Sequence, residues 1–146
     1  MTGMEWKMLA AGFAFVAVLG AWHLGGILLS KRIKPSGDSH PWLSVLVTFW
    51  TLLLLHGSEI ALGALAFATA LSVPGAGAIS EGYGSDAAGL LYFAGINFTT
   101  LGYTQQTVEG PIRLLVVLRS LGGLMLITWS ATFAYTVWAD QFREDA

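Results

Sequence analysis

Three stretches of this chain are long enough and apolar enough to cross a bilayer, and no other feature limits the fold as much. Met8 to Leu29 contain no Asp, Glu, Lys or Arg. The surrounding segment, about Trp6 to Ser30, and two more, about Trp42 to Ser72 and about Pro111 to Asp140, each exceed the roughly 20 residues that a 30 Å hydrocarbon core requires. Only 11% of the 146 residues are charged and 55% are hydrophobic, whereas soluble domains carry about 25% charged residues. The chain reads as an all-α integral membrane protein with three spanning helices. The first run follows Lys7 and could pass for a signal peptide, but it outlasts an h-region of about 7–15 residues, so it is expected to remain as a helix, with a signal anchor as the alternative. A net charge of −2 gives no reason to expect nucleic acid, and without cysteine there is neither a disulfide framework nor a thiolate metal site.

Orientation follows from the loop K-R-I-K-P-S-G-D-S-H-P at positions 31 to 41, which holds three of the seven basic residues. The positive-inside rule makes this loop cytoplasmic. The N-terminus is then outside, and the tail D-Q-F-R-E-D-A inside, in a cell or bacterial inner membrane. The second and third spans exceed the bilayer thickness, so they should tilt or protrude. Pro111 suits the first turn of a helix.

Between the second and third spans the chain must start and finish on the same side. Its Gly-rich beginning, V-P-G-A-G-A-I-S-E-G-Y-G-S, reads as loop, and Ser85 or Asp86 can cap a helix after it. From Ala87 to Phe98 the chain is apolar again. A dozen residues give only about 18 Å of helix, too short to cross and right for a re-entrant segment. The polar run that follows, T-T-L-G-Y-T-Q-Q from Thr99, must return in extended form. Irregular backbone survives at that depth only inside protein or along water.

Helix, short re-entrant helix, T-x-G-Y and helix together resemble the pore module of the potassium channel superfamily, most closely the small bacterial channels of its two-transmembrane type. The resemblance covers roughly Trp42 to Phe142. It implies an outer helix at 42–72, a pore helix at 86–98, a filter at 99–105 and an inner helix at 111–140, with residues 1–41 as an added helix and cytoplasmic loop. Against the filter T-V-G-Y-G, Thr100, Leu101, Gly102 and Tyr103 match the first four positions, with Leu for Val. Thr104 replaces the second glycine, and Gln105 the acid that often follows. The resemblance implies that Thr99, Thr100, Leu101, Gly102, Tyr103 and Thr104 carry the ion, with K⁺ held at Thr100, Leu101, Gly102 and Tyr103. Backbone carbonyls replace the hydration shell, and glycine permits the alternating backbone hand this requires. A β-branched Thr104 is poorly suited to φ > 0, so weakened selectivity is expected. One strand cannot enclose an ion, so four identical chains should surround a central axis within membrane lipid. The permeant ion is K⁺ or another monovalent cation, and no cofactor is implied. The inner-helix pair Gly122-Gly123 is a candidate gating hinge, or alternatively a site of close helix packing.

His23, His56, Glu59 and Arg119 lie within the spans. His56 and Glu59 are three apart and share a helix face. At 1.5 Å per residue, His23, His56 and Glu59 fall about 26, 24 and 20 Å below the outer helix ends, and Arg119 about 12 Å. A His23, His56 and Glu59 cluster could be a proton or metal site or a hydrogen-bonded clasp. Arg119 could pair with Glu59 as a strut behind the filter; facing the pore, it would repel cations. Thr128, Ser130 and Thr132 could line a hydrated cavity. Trp129 and Trp138 should face lipid or a neighbouring helix. The chain has no H-E-x-x-H, nucleophile elbow or phosphate loop, so no enzyme is expected. Two functions besides a passive cation channel stay open: a non-conducting accessory subunit of the same fold, and proton or metal transport through the His/Glu cluster.

Overall fold

The computed structural model describes residues 1–35, 40–80, 86–100 and 107–142. Three 31-residue helices, α1 (Gly3–Ile33), α2 (Pro41–Leu71) and α4 (Ile112–Phe142), form the bundle, and the 13-residue α3 (Ala87–Thr99) is inserted before α4. All three long helices are apolar enough to span. The protein is an all-α integral membrane protein.

The helix boundaries follow local chemistry. Thr2 and Glu5 form a capping box at the start of α1: the Thr2 hydroxyl accepts from Glu5 N (3.2 Å), and Glu5 Oε2 accepts from Thr2 N (2.7 Å). Reciprocal bonds of this kind satisfy two orphan donors. The T-x-x-E pattern was legible and the sequence reading started the helix too late. At the other end Pro35 forces its predecessor out of the α region; Lys34 is extended, at φ −64° and ψ 135°. Pro41 opens α2, where a missing N–H costs nothing, and Pro74 follows shortly after its end. Asp86 caps α3 by accepting from Gly89 N at 2.6 Å. Ser85, the other expected cap, lies outside the described residues.

The segment expected to be plain loop contains a short pairing instead. β1 (Ala78–Ile79) lies antiparallel to β2 (Val108–Glu109), with Ala78 opposite Glu109. Ser80 N donates to Thr107 O at 2.9 Å, and Ile112 N to Ala76 O at 2.7 Å. Gly77 (φ 121°) passes so close to the Glu109 carbonyl that a side chain would overlap it. These bonds join the exit of α2 to the entry of α4 and close the base of the α3 insertion.

The packing falls into three tiers. At the end that carries the β1–β2 pair Met8, Phe67, Phe93, Ala94, Ile112 and Leu115 cluster. In the middle lie Leu19, Phe98 and Leu126, and at the opposite end Ile27, Leu52, Leu55, Phe133 and Val137. α1 runs alongside α4 in a constant register: Gly12 lies against Leu118, Val16 against Gly122 and His23 against Trp129. Small residues at these crossings let the helices approach closely, as membrane helix packing favours.

Candidate functional site

α3 supplies the depth of the site. Its Phe93 ring packs on Phe67, near the outer end of α2 (5.2 Å between centroids), and its Phe98 ring packs on His56, well down the same helix (5.3 Å). Phe98 main-chain atoms lie against Gly123 so closely that a Cβ there would overlap them. Gly123 is eleven residues into α4, about 17 Å along its axis. α3 therefore runs beside α2 to the level of Gly123 in α4 and ends there.

Thr99 is the last residue of α3, not the first of a filter strand: its hydroxyl donates to the Gly95 and Ile96 carbonyls at 3.1 and 3.3 Å. Helix propagation captured it because a threonine hydroxyl can bond back onto its own helix. Thr100 caps the helix in the left-handed region at φ 57° and ψ 18°. For a β-branched residue that is a genuine outlier, and such strain costs of order 1–3 kcal/mol. The sequence reading placed the left-handed demand later, at Gly102 and Thr104. Leu101, Gly102, Tyr103, Thr104 and Gln105 lie outside the described residues.

The buried polar side chains meet directly behind this helix end. His23 Nδ1 lies 2.8 Å from Glu59 Oε1 and His56 Nδ1 2.8 Å from Glu59 Oε2. His23 and Glu59 are fully buried, and His56 is 20% exposed. With Glu59 ionised, each histidine donates its Nδ1–H, one to each oxygen. That leaves His23 Nε2 as an acceptor for the Ser130 hydroxyl at 3.4 Å. Ser130 is thus buried against α1, whereas Thr128 and Thr132 are exposed. The three do not line one face, because about 100° per residue turns Ser130 away from the other two. Trp129 lies over His23 (5.2 Å), and Trp138 packs against Tyr135 and Phe142.

Three ligand atoms of His23, His56 and Glu59 lie within 4.8 Å of one another, close enough to raise the question of a metal centre. Bonds of about 2.1 Å to a tetrahedral ion hold neighbouring ligand atoms about 3.4 Å apart. The 2.8 Å separations suit N–H···O bonds, and both carboxylate oxygens are already engaged. The distances favour a clasp.

Arg119 is completely buried. It reaches Glu59 through the main chain, with Nη2 donating to the Glu59 carbonyl at 3.0 Å. The expected pairing with the carboxylate is replaced by this bond, because His23 and His56 occupy both oxygens. The guanidinium carbon sits 5.0 Å from the Phe98 ring centre and 6.0 Å from that of Phe15, within cation–π range. Gly63 makes the room; a Cβ there would overlap the guanidinium. Arg119 Nε and Nη1 have no partner among the described residues. Gly122 lies against Val16 and Gly123 against Phe98, so both glycines of the candidate hinge sit at close helix contacts.

Residues 59–139 match a family model described as ion channel. The match begins at Glu59, contains α3, the T-T-L-G-Y-T run and nearly all of α4, and leaves out α1. No curated protein and no solved structure matches the chain. The match covers more than half of the chain, and with three spanning helices it makes this protein a member of the ion channel family and not an enzyme.

Proposed function

We propose that four copies of the chain form a passive cation channel, permeable to K⁺ with weakened discrimination against Na⁺. Ions would pass along Thr100 to Thr104 at the central axis. The observation that carries this reading is the end of α3: a short helix stops part-way along α4, against Gly123, and the residues that follow Thr99 are T-L-G-Y-T. Thr100 is assigned a carbonyl and a hydroxyl ligand, and Leu101, Gly102 and Tyr103 carbonyl ligands. The C-terminal, negative end of α3 favours a cation below it. The exposed stripe of α4 with Leu121, Leu124, Thr128, Thr132 and Tyr135 is the face assigned to the axis. Arg119 does not belong to that stripe, which removes the electrostatic objection to cation passage. The N-terminus is assigned to the outside and the C-terminus to the cytoplasm.

The test is ion flux into liposomes carrying purified protein under a K⁺ gradient. Wild type should pass K⁺, Thr104→Gly should raise flux or K⁺ selectivity, and Gly102→Ala should abolish flux. Crosslinking should end at tetramers. Absence of flux in both wild type and Thr104→Gly would replace the channel with a non-conducting accessory subunit of the same fold.

A further inference from the structure

The helix outside the family match is not peripheral to the end of α3. Phe15, Leu19 and His23 recur at helical spacing along α1, and all three face the same place. Phe15 lies against the Arg119 guanidinium. Leu19 is fully buried in one cluster with Phe98 and Leu126. His23 holds Glu59. Two arms then lead from Glu59 to the Phe98 ring. One passes through Glu59 Oε2 and the His56 imidazole, at 2.8 Å and 5.3 Å. The other passes through the Glu59 carbonyl and the Arg119 guanidinium, at 3.0 Å and 5.0 Å. Gly123 closes the remaining side against the main chain of Phe98. Phe98 is 1% exposed and precedes the strained Thr100 by two residues.

We infer that His23 is a positioning residue for the ion pathway, acting from α1 through Glu59 and His56 to hold Phe98 and so the Thr99–Thr100 end of α3. The physical reason is directional. The apolar contacts of Phe98 fill space but tolerate rotation. The two hydrogen bonds to Glu59 fix the carboxylate in one orientation, and a fully bonded buried network specifies one arrangement. His23 contributes the only one of those two bonds that comes from outside α2. Without it the carboxylate can turn on its own side chain, and the arm through His56 moves with it. A filter entrance selects ions through the positions and field of its oxygens, so the displacement reaches selectivity and not stability alone. The inference rests on the channel reading for its effect on ions, but not for its effect on Thr99 and Thr100.

The test compares the full-length chain with His23→Ala and His23→Asn, whose amide N–H falls where Nδ1 sits. Two readouts are taken: the K⁺ to Na⁺ permeability ratio in liposomes, and the methyl resonances of Thr99 and Thr100 in threonine-labelled protein, assigned by substitution. His23→Ala should shift both resonances and lower the ratio several-fold, and His23→Asn should restore both. Shifted resonances in a wild type that passes no ions would support the positioning role and sink the channel reading separately. Unchanged resonances and ratio in a folded His23→Ala protein would overturn the inference. If His23→Ala does not fold, His23→Gln takes its place, since it keeps bulk and polarity but moves the donor off the Nδ1 position. Shifted resonances and a lowered ratio in that variant would then support the inference, and unchanged ones would overturn it.

Discussion

Glu59 and Arg119 are both fully buried, on facing helices, and one hydrogen bond joins them. Their surroundings differ. Each oxygen of the Glu59 carboxylate accepts a histidine N–H. Among the described residues one of the three guanidinium nitrogens of Arg119 is bonded, and the group lies against aromatic faces. The acid is a hub that several groups depend on. The arginine is a wedge that fills a space made by Gly63 and leans on Phe98. Removing a hub leaves two buried donors without acceptors, whereas replacing a wedge by an apolar side chain of similar length removes donors that have no partner among the described residues. Buried ionic groups are asymmetric in this sense: losing one partner costs far more than exchanging the set for well-packed apolar residues gains or loses.

The sharpest way to break that comparison is Glu59→Leu against Arg119→Met. Glu59→Leu should cost about 3–5 kcal/mol, because it orphans the buried donors of both His23 and His56. Arg119→Met should cost clearly less, read as unfolding midpoints in detergent. Equal losses would make Arg119 a hub as well. Next in size is Gly123→Ala, expected at about 1–3 kcal/mol because the new methyl meets the unyielding main chain of Phe98. Gly122→Ala should cost less, since its methyl meets the side chain of Val16, which can move. The reverse order would mean that the end of α3 is held no more tightly than the crossing of α1 and α4. A smaller effect is expected from the double-mutant cycle of Glu59→Gln with Arg119→Gln. The bond between the two uses the Glu59 carbonyl, which survives the substitution, so the losses should add to within about 0.5 kcal/mol. A larger coupling would mean that the guanidinium senses the carboxylate directly. The smallest change should come from Arg113→Ala. Its contact with Glu5 is 3.5 Å long and its own side chain is 63% exposed, so unfolding and flux should match wild type, which marks the outer rim as outside the network.

How far the sequence reached depended on the range of the interaction. Asp86 was legible as a cap because capping acts over three residues, and the T-x-x-E box at Thr2 was equally legible by the same rule. The depth of His23, His56 and Glu59 was legible because helical rise is nearly constant and the helix ends are marked by charge and proline. Ser130 was placed on the wrong side because the orientation of a helix about its axis is set by its neighbours. The β1–β2 pairing escaped because two residues on each side, some 30 apart in the chain, leave no periodic trace. The left-handed Thr100 escaped because threonine is among the residues least suited to it.

By itself the sequence determined a three-span membrane protein with a short inserted helix, since the bilayer imposes length and apolarity on each segment independently and composition reports both. The family was visible for a related reason: T-T-L-G-Y-T between such segments is a contiguous pattern. Only the tertiary structure decided that Arg119 turns inward onto Phe98, that it meets a carbonyl and not the carboxylate of Glu59, and that α1 completes the socket around the end of α3. Those outcomes depend on which groups compete for two carboxylate oxygens and on which crossings hold a glycine. They arise where four helices converge, and no single stretch of chain contains them.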